Sequence, residues 1–456
     1  MLGCLKKENY QITPDPMLAE VIIVNTCSFI QASIEESIDT LLQMADYKNM
    51  ARCEVLVASG CLPQRYAADL EKQLPEVDLF IGTGQYHLIT QILANPDLQK
   101  RTYVNQPAFI HSETDERVFT PSFSAFLKIS EGCNRRCSFC IIPKLRGNVR
   151  SRSVESLVTE ASRLANLGIK ELNLVGQDLT EYGMENRYQE RLETLLPELC
   201  KIEGIEWIRL HYVYPDQFSD ALIQIMASEP KIVKYLDMPI QHTHDEVLKR
   251  MNRRLTRANL FALIEKLRAQ IPGIVFRTSI IVGFPGETEE QFQALCEDLR
   301  LLKLDYVGVF RYSKEPGTKA FDLDGQISAQ TKRKREKILQ KVLEENIHQI
   351  QAKHVGITQI AVLEGVSSES ELLWSARLPT QAAQIDGKIF INDIGFLTDS
   401  AISQLKPGQF VPVEITEVMG ADLIGRIVPW TKKNRETALL KDFLISPTQQ
   451  RSATMN

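Results

Sequence analysis

Three cysteines in the run Cys133-Asn134-Arg135-Arg136-Cys137-Ser138-Phe139-Cys140 carry the strongest chemical signal in the chain. The spacing C-x3-C-x2-C offers three thiolates from one short loop. That is enough for three irons of a cubane 4Fe-4S cluster, whereas structural zinc wants four ligands. The fourth iron would stay open, and an open iron can chelate a small molecule. The competing reading is a structural zinc knuckle completed by a distant fourth ligand. An apolar stretch, Phe126-Leu127-Lys128-Ile129, leads into the loop, and Phe139 stands between its last two cysteines.

Two further cysteines stand at expected strand ends. Over the first hundred or so residues, strand-like apolar runs at 21–26 and 54–59 alternate with helical patterns at 34–44 and 65–73. Such alternation predicts a parallel, doubly wound α/β sheet, and ligands gather outside the carboxyl ends of its strands. Cys27, in Asn25-Thr26-Cys27, and Cys61, in Gly60-Cys61-Leu62-Pro63-Gln64, both fall there. Each alone reads as a buried thiol; together they read better as a shared metal site.

From about 126 to 325 the alternation continues, with strands expected at 171–175, 207–211, 235–238, 275–282 and 306–310. This length suits a partial α/β barrel with its chemistry at the carboxyl ends of the strands. The cysteine loop follows the first strand, Gly176-Gln177-Asp178 the second, and Gly283-Phe284-Pro285-Gly286-Glu287 a later one. Glycines at such turns permit close approach of a ligand. After a helical linker at roughly 331–354, short strands at 360–363, 372–376, 388–391, 411–418 and 423–428 predict a small β-barrel. The expected division is 1–110, 119–350, 355–430 and a polar tail at 431–456.

Composition narrows the class. The 456 residues, 44% hydrophobic and 24% charged, are those of a globular protein of two or three domains. No apolar run approaches the eighteen or so residues of a membrane span, and the N-terminus lacks a signal-peptide pattern, so a cytoplasmic protein is expected. Nine cysteines in a reducing compartment read as metal ligands and buried thiols. A net charge of −5 argues against a protein that coats nucleic acid. The terminal barrel has four basic residues (Arg377, Lys388, Lys406, Arg426) against nine acidic ones (Glu364, Glu369, Glu371, Asp386, Asp393, Asp399, Glu414, Glu417, Asp422). It should repel phosphate and attract a basic protein. The basic run Lys332-Arg333-Lys334-Arg335 continues with helical periodicity and reads as a solvated helix face.

Three modules in this order resemble the methylthiotransferase family of radical S-adenosylmethionine (SAM) enzymes: an N-terminal cluster domain, a radical SAM barrel and a TRAM domain. The strand before the cysteine loop and the aromatic Phe139 are usual for that family. The resemblance is greater to the branch that modifies an aspartate of a small-subunit ribosomal protein than to the tRNA-adenosine branch. It rests on Val24-Asn25-Thr26-Cys27-Ser28-Phe29-Ile30, Glu35-Glu36-Ser37-Ile38, Cys137-Ser138-Phe139-Cys140-Ile141-Ile142-Pro143, Leu236-Asp237-Met238-Pro239-Ile240-Gln241-His242 and Tyr312-Ser313-Lys314-Glu315-Pro316-Gly317-Thr318. It implies a SAM-cleaving 4Fe-4S cluster on Cys133, Cys137 and Cys140, and a second cluster with Cys27 and Cys61 among its ligands. It also implies SAM contacts at Phe139, Gly176, Gln177 and Gly283, a basic ribosomal protein as substrate, and an electron donor such as flavodoxin or ferredoxin. No direct reading of nucleic acid is expected. Arg277 could pair with the SAM carboxylate or with a barrel neighbour, and Gln241 and His242 could contact a ligand or form a structural pair. An iron-sulfur scaffold without catalysis is a third reading, disfavoured by the glycine turns.

The family has a Leu-Gly-Cys motif roughly thirty-five residues before the Asn-Thr-Cys cysteine. Here Leu2-Gly3-Cys4 precedes Cys27 by 23 residues with no strand before it. Cys4 is therefore expected on a helix. The first strand and first ligand have no counterpart, as for a start placed too far downstream. Cys53, Cys200 and Cys296 are expected as core thiols.

Overall fold

In a parallel sheet every strand delivers its following loop to the same edge, so the strands that precede Cys27 and Cys61 decide where those cysteines go. The computed structural model describes residues 1–94, 100–115, 117–118, 122–187, 189–216, 218–395 and 397–431. Nearly all of the expected tail, from 432 onward, lies outside them.

Strands β1 (Val21–Thr26), β2 (Val55–Gly60), β3 (Leu79–Gly82) and β4 (Thr102–Tyr103) pair in parallel in that order. Helices Gln31–Ala45 and Cys61–Gln73 bury Ile34, Leu41, Leu62 and Leu70 with Ile22, Leu56, Ala58 and Phe80 on one face. Helices Leu2–Lys7 and Ile89–Leu93 bury Leu5, Ile89 and Ile92 with Val57, Leu79 and Ile81 on the other. The sheet thus has two helical layers, although among the described residues its strand order follows the chain without reversal. The register sets Thr26 beside Gly60, so Cys27 and Cys61 leave adjacent strand ends. Gly60 has φ +114°, and a side chain there would strike the Thr26 carbonyl.

The second sheet begins with β5 (Ser124–Lys128). A short antiparallel pair, β6 (Ser130–Glu131) and β7 (Arg150–Ser151), pinches the two ends of the cysteine loop together. There follow β8 (Glu171–Val175), β9 (Trp207–Leu210), β10 (Ile232–Asp237), β11 (Val275–Val282) and β12 (Tyr306–Arg311). The six parallel strands run in the order β12-β11-β10-β9-β8-β5, an open partial barrel. Leu127, Leu172, Leu174, Ile208, Leu210, Leu236, Phe276 and Ile280 join the main helix-packed core. The alternate residues Glu171, Asn173, Arg209, His211, Tyr235, Asp237 and Arg277 fall on the opposite, polar face, as the two-residue strand period requires.

The third unit is a closed barrel of β13 (Thr358–Val366), β14 (Trp374–Arg377), β15 (Ile389–Asp393), β16 (Phe410–Met419) and β17 (Asp422–Ile427). It seals the amino ends of the partial barrel. Trp207, Val275 and Tyr306 each open a strand, and they pack with Val362, Ala382 and Phe410. Trp207 meets Phe410 edge-on at 5.0 Å between centroids. At the centre of this floor the Glu171 carboxylate accepts from Arg377 at 2.7 and 3.0 Å, from Arg209 at 3.1 Å and from the Ser124 hydroxyl at 2.8 Å.

Docking and pairs within the barrel itself take up part of its acidity. Asp386 turns inward to accept from the Tyr235 hydroxyl at 2.7 Å, while Glu364, Glu369 and Glu414 pair with Arg377, Lys388 and Arg426. Glu371, Asp393 and Glu417 stay exposed. The basic run at 332–335 is likewise less solvated than its periodicity predicts. Arg335 is buried on Glu287 at 2.9 Å, and Lys332 donates to the Tyr312 carbonyl at 2.8 Å. Cys53, Cys200 and Cys296 pack with the apolar cores. Among the described residues no helix is long and apolar enough to cross a membrane.

Burial alone would raise the Glu171 pKa, but Arg377 and Arg209 outweigh it and hold the carboxyl at about 2 against an ordinary 4.5. Because the folded value is depressed, this stabilisation is whole above about pH 4.5 and is lost as pH falls toward 2. Arg377→Met strands the buried carboxylate and is expected to cost about 3–5 kcal/mol in denaturant melts of the iron-free chain. Its melting point should then respond less than wild type to acid between those two pH values.

Candidate iron-sulfur and SAM site

The cysteine loop is held in shape by backbone and side-chain hydrogen bonds from several elements around it. Gly132 turns into the loop at φ +85°, where a side chain would overlap the Asn148 carbonyl. The Gly132 N–H donates to Gln177 Oε1 at 2.5 Å, and the Cys133 N–H donates to the Gly147 carbonyl at 3.1 Å. The Asn134 N–H reaches Glu181 at 2.7 Å. Farther along, the Ser138 N–H and hydroxyl donate to the carbonyls of Met251 and Arg250 at 2.9 and 2.8 Å.

Two arginines that sequence reasoning missed reach the sulfurs, one through its backbone and one through its side chain. Arg135 pairs with Asp178 at 2.8 Å and Asp216 at 3.1 Å, and its own N–H points at Cys133 Sγ at 3.4 Å. Arg253, buried, donates toward Cys137 Sγ at 3.7 Å and to the Pro239 carbonyl at 2.6 Å. The two guanidiniums lie 3.9 and 4.1 Å from the Tyr214 ring centroid. Arg135 lies within the cysteine run itself, where nothing local marks its role, and Arg253 comes from the loop after the helix Asp245–Arg250.

Burial raises the Cys133 thiol pKa far above its ordinary 9, with Glu181 adding to the rise, and pushes Cys140 up to about 12. Without metal both thiols are neutral. Among the described residues no three His, Cys, Asp or Glu side chains, those of the loop cysteines included, are grouped as a single metal ion requires. Three thiols from one loop, with a backbone N–H at Cys133 and a guanidinium at Cys137, fit a cluster whose thiolates need such compensation.

The expected SAM contacts divide. Phe139 packs with Val247, Met251, Phe284 and Tyr312, so it joins the cysteine loop to the Gly283 turn. Gly176 lies against Ser130, whose hydroxyl is buried and unpartnered, and a side chain at 176 would collide with it. Gln177 is spent on the Gly132 N–H. The Gly283 and Phe284 N–H groups both donate to Glu287, at 2.7 and 3.1 Å, so this turn closes on itself. Arg277 is engaged by Asp237 at 3.4 Å and by Asp386 of the terminal barrel at 3.3 Å, the barrel-neighbour alternative. His242 is fully buried, and burial lowers its pKa to about 3; its Nδ1 accepts from the His244 N–H at 3.0 Å.

The N-terminal pair sits against this loop. Cys27 is exposed, its N–H held by Ser37 Oγ at 3.1 Å. Cys61 opens the helix Cys61–Gln73, whose N-terminal dipole favours a thiolate. Its sulfur accepts from Arg146 at 3.3 Å, and it is buried with Ile141 and Leu145, directly after Cys140. Burial raises the Cys61 pKa and Arg146 opposes the rise. Cys4 lies on the helix Leu2–Lys7, packed against the apolar cluster around Leu5.

Residues 127–299 match the radical SAM superfamily, residues 1–82 the uncharacterized protein family UPF0004, and residues 355–428 the TRAM domain. The chain is 45% identical over 432 residues to the ribosomal protein uS12 methylthiotransferase RimO of Geotalea uraniireducens, covering 94% of each chain. It is 46% identical over 430 residues to the protein of the same name from Pelobacter propionicus, again covering 94% of each. Among solved structures, the radical SAM methyltransferase TsrM of Kitasatospora setae, with cobalamin and a [4Fe-4S] cluster bound, shares the fold. It aligns with a TM-score of 0.51 at 14% identity over 66% of each chain.

Gly132→Ala forces a side chain into the Asn148 carbonyl at a left-handed position and is expected to cost about 1–3 kcal/mol locally. After anaerobic reconstitution it should bind less iron than wild type, read by iron analysis and visible absorption. Cys4→Ala should leave the iron content unchanged.

Proposed function

The chain belongs to the ribosomal protein uS12 methylthiotransferase family of radical SAM enzymes, and we propose that it adds a methylthio group to an aspartate of that ribosomal protein. The observation that carries this reading is the burial of Cys61 against Ile141 and Leu145. It brings the thiol pair of the N-terminal domain to the loop of Cys133, Cys137 and Cys140, so the two candidate ligand sets share one mouth.

Cys133, Cys137 and Cys140 would hold a 4Fe-4S cluster with SAM on its open iron, which when bound supplies the 5′-deoxyadenosyl radical that takes hydrogen from an unactivated C–H bond. Cys27 and Cys61 would give two thiolates to a second cluster as the source of sulfur. Among the described residues no third cysteine joins them. Arg253 offsets the negative charge of the loop thiolates, the Arg135 backbone N–H donates to Cys133 Sγ, and Arg146 offsets charge at Cys61. Phe139, Phe284 and Tyr312 exclude water from one flank. Gly176 and Gln177 act through the loop they hold in place.

On the inner face of the open barrel Phe126 and Phe310 stay 60% and 49% exposed, an apolar lining on which a substrate segment can lie. The exposed acids of the terminal barrel favour a basic protein over tRNA. A protein donor such as flavodoxin or ferredoxin supplies the electron for SAM cleavage. A ribosomal protein as substrate favours a cytoplasmic enzyme.

Reduced, reconstituted protein incubated with SAM and either the ribosomal protein or tRNA decides the reading by mass spectrometry. A methylthio mass gain on the aspartate is expected; a gain on tRNA alone would overturn it. Cys133→Ala, Cys137→Ala and Cys140→Ala should each reduce 5′-deoxyadenosine to background, and Cys200→Ala should not.

A further inference from the structure

One buried carboxylate gathers the groups that frame Cys27 and Cys61. Glu315 lies in the loop after β12 and is 2% exposed. Its Oε1 accepts the N–H of Gln31, the first residue of the helix after Cys27, at 2.8 Å, and the Ser313 hydroxyl at 2.5 Å. Its Oε2 pairs at 2.9 Å with Arg65, which stands one helical turn after Cys61. The same guanidinium donates to the carbonyl of Ser28, next to Cys27, at 2.6 Å and to that of Pro316 at 2.9 Å.

The loop that carries Glu315 is fastened in turn to the cysteine loop. The Ala320 N–H donates to the Ser138 carbonyl at 2.8 Å, and Lys144 donates to the Gly317 carbonyl at 2.7 Å. A short hydrogen-bonded path thus runs from Ser138, between Cys137 and Phe139, through residues 315–320 to both N-terminal cysteines. Its ionic link is desolvated, with side chains 6% and 3% exposed, so breaking one partner leaves an uncompensated buried charge.

We infer that Glu315 is a positioning residue that sets the Cys27 and Cys61 pair over the mouth of the barrel. Its loss should uncouple sulfur delivery from SAM cleavage. The inference rests on the division of labour proposed above, with cleavage at the loop cysteines and delivery at the N-terminal pair. Glu315→Gln keeps the shape of the side chain but removes the charge that Arg65 needs. Transfer between two held sites is sensitive to displacements of about 1 Å, which can cost on the order of a hundredfold. On that division of labour the cysteines assigned to cleavage, Cys133, Cys137 and Cys140, all lie outside the N-terminal domain.

The test compares reconstituted full-length wild type and Glu315→Gln. In the variant, methylthiolated product per 5′-deoxyadenosine should fall at least about tenfold, with cleavage within about twofold of wild type. Hydrogen exchange should quicken at Gln31 and at residues 61–65 and stay unchanged at Cys133 and Ser138. Arg65→Lys, which keeps the charge, should retain more coupling than Arg65→Met. Unchanged coupling and exchange in Glu315→Gln would overturn the inference. So would a loss of cleavage in step with transfer, because the residue would then only hold the fold. If wild type itself fails to modify the ribosomal protein, the functional reading fails, while the exchange comparison still decides whether Glu315 holds the N-terminal helices.

Discussion

The partial barrel depends on how Glu171 is neutralised. A six-stranded parallel sheet that does not close must leave one face polar enough for a site, yet that face has to be sealed at one end. Glu171 meets Arg209 from the next strand and Arg377 from the terminal barrel, with all three side chains at most 1% exposed. A carboxylate so deeply buried is tolerated only with both cations and the Ser124 hydroxyl in place. The contact spans 206 residues of chain, so the third module is part of the barrel's floor as well as an appendage with its own core.

With the floor closed, chemistry is confined to the carboxyl ends of the strands. There the loop of Cys133, Cys137 and Cys140 is shaped by groups that bond to its backbone: Gln177, Glu181, Gly147 and Met251. At the sulfurs themselves stand the Arg135 backbone N–H and the Arg253 guanidinium. This division explains why several residues that the resemblance marks as SAM contacts are engaged with protein partners. Gly176, Gln177 and Gly283 shape the walls of the site, and Arg277 belongs to the floor network.

The N-terminal sheet meets this mouth with its own carboxyl edge. Arg146 at Cys61, Glu315 at Arg65 and Gln31, and the apolar contact of Cys61 with Ile141 and Leu145 join the two edges into one seam. Two parallel sheets joined edge to edge place both cysteine sets on the same opening, which neither sheet could do alone.

By itself the sequence determined the three-module architecture, most of the longer strands and the candidate cysteines, though not the strands Leu79–Gly82 and Thr102–Tyr103 or the short pair that pinches the cysteine loop. Those features rest on local signals: alternation of apolar runs, cysteine spacing and glycine at turns. It also separated Cys4, on a helix, from Cys27 and Cys61, at strand ends. Only the tertiary structure decided the partners of the charged groups, because pairs such as Arg377 with Glu171 or Arg65 with Glu315 join residues hundreds of positions apart and leave no periodic trace. The same holds for the terminal barrel's acidity. Its composition is a sum over residues, while its surface charge depends on which acids fold inward, as Asp386 does, and which find a cation.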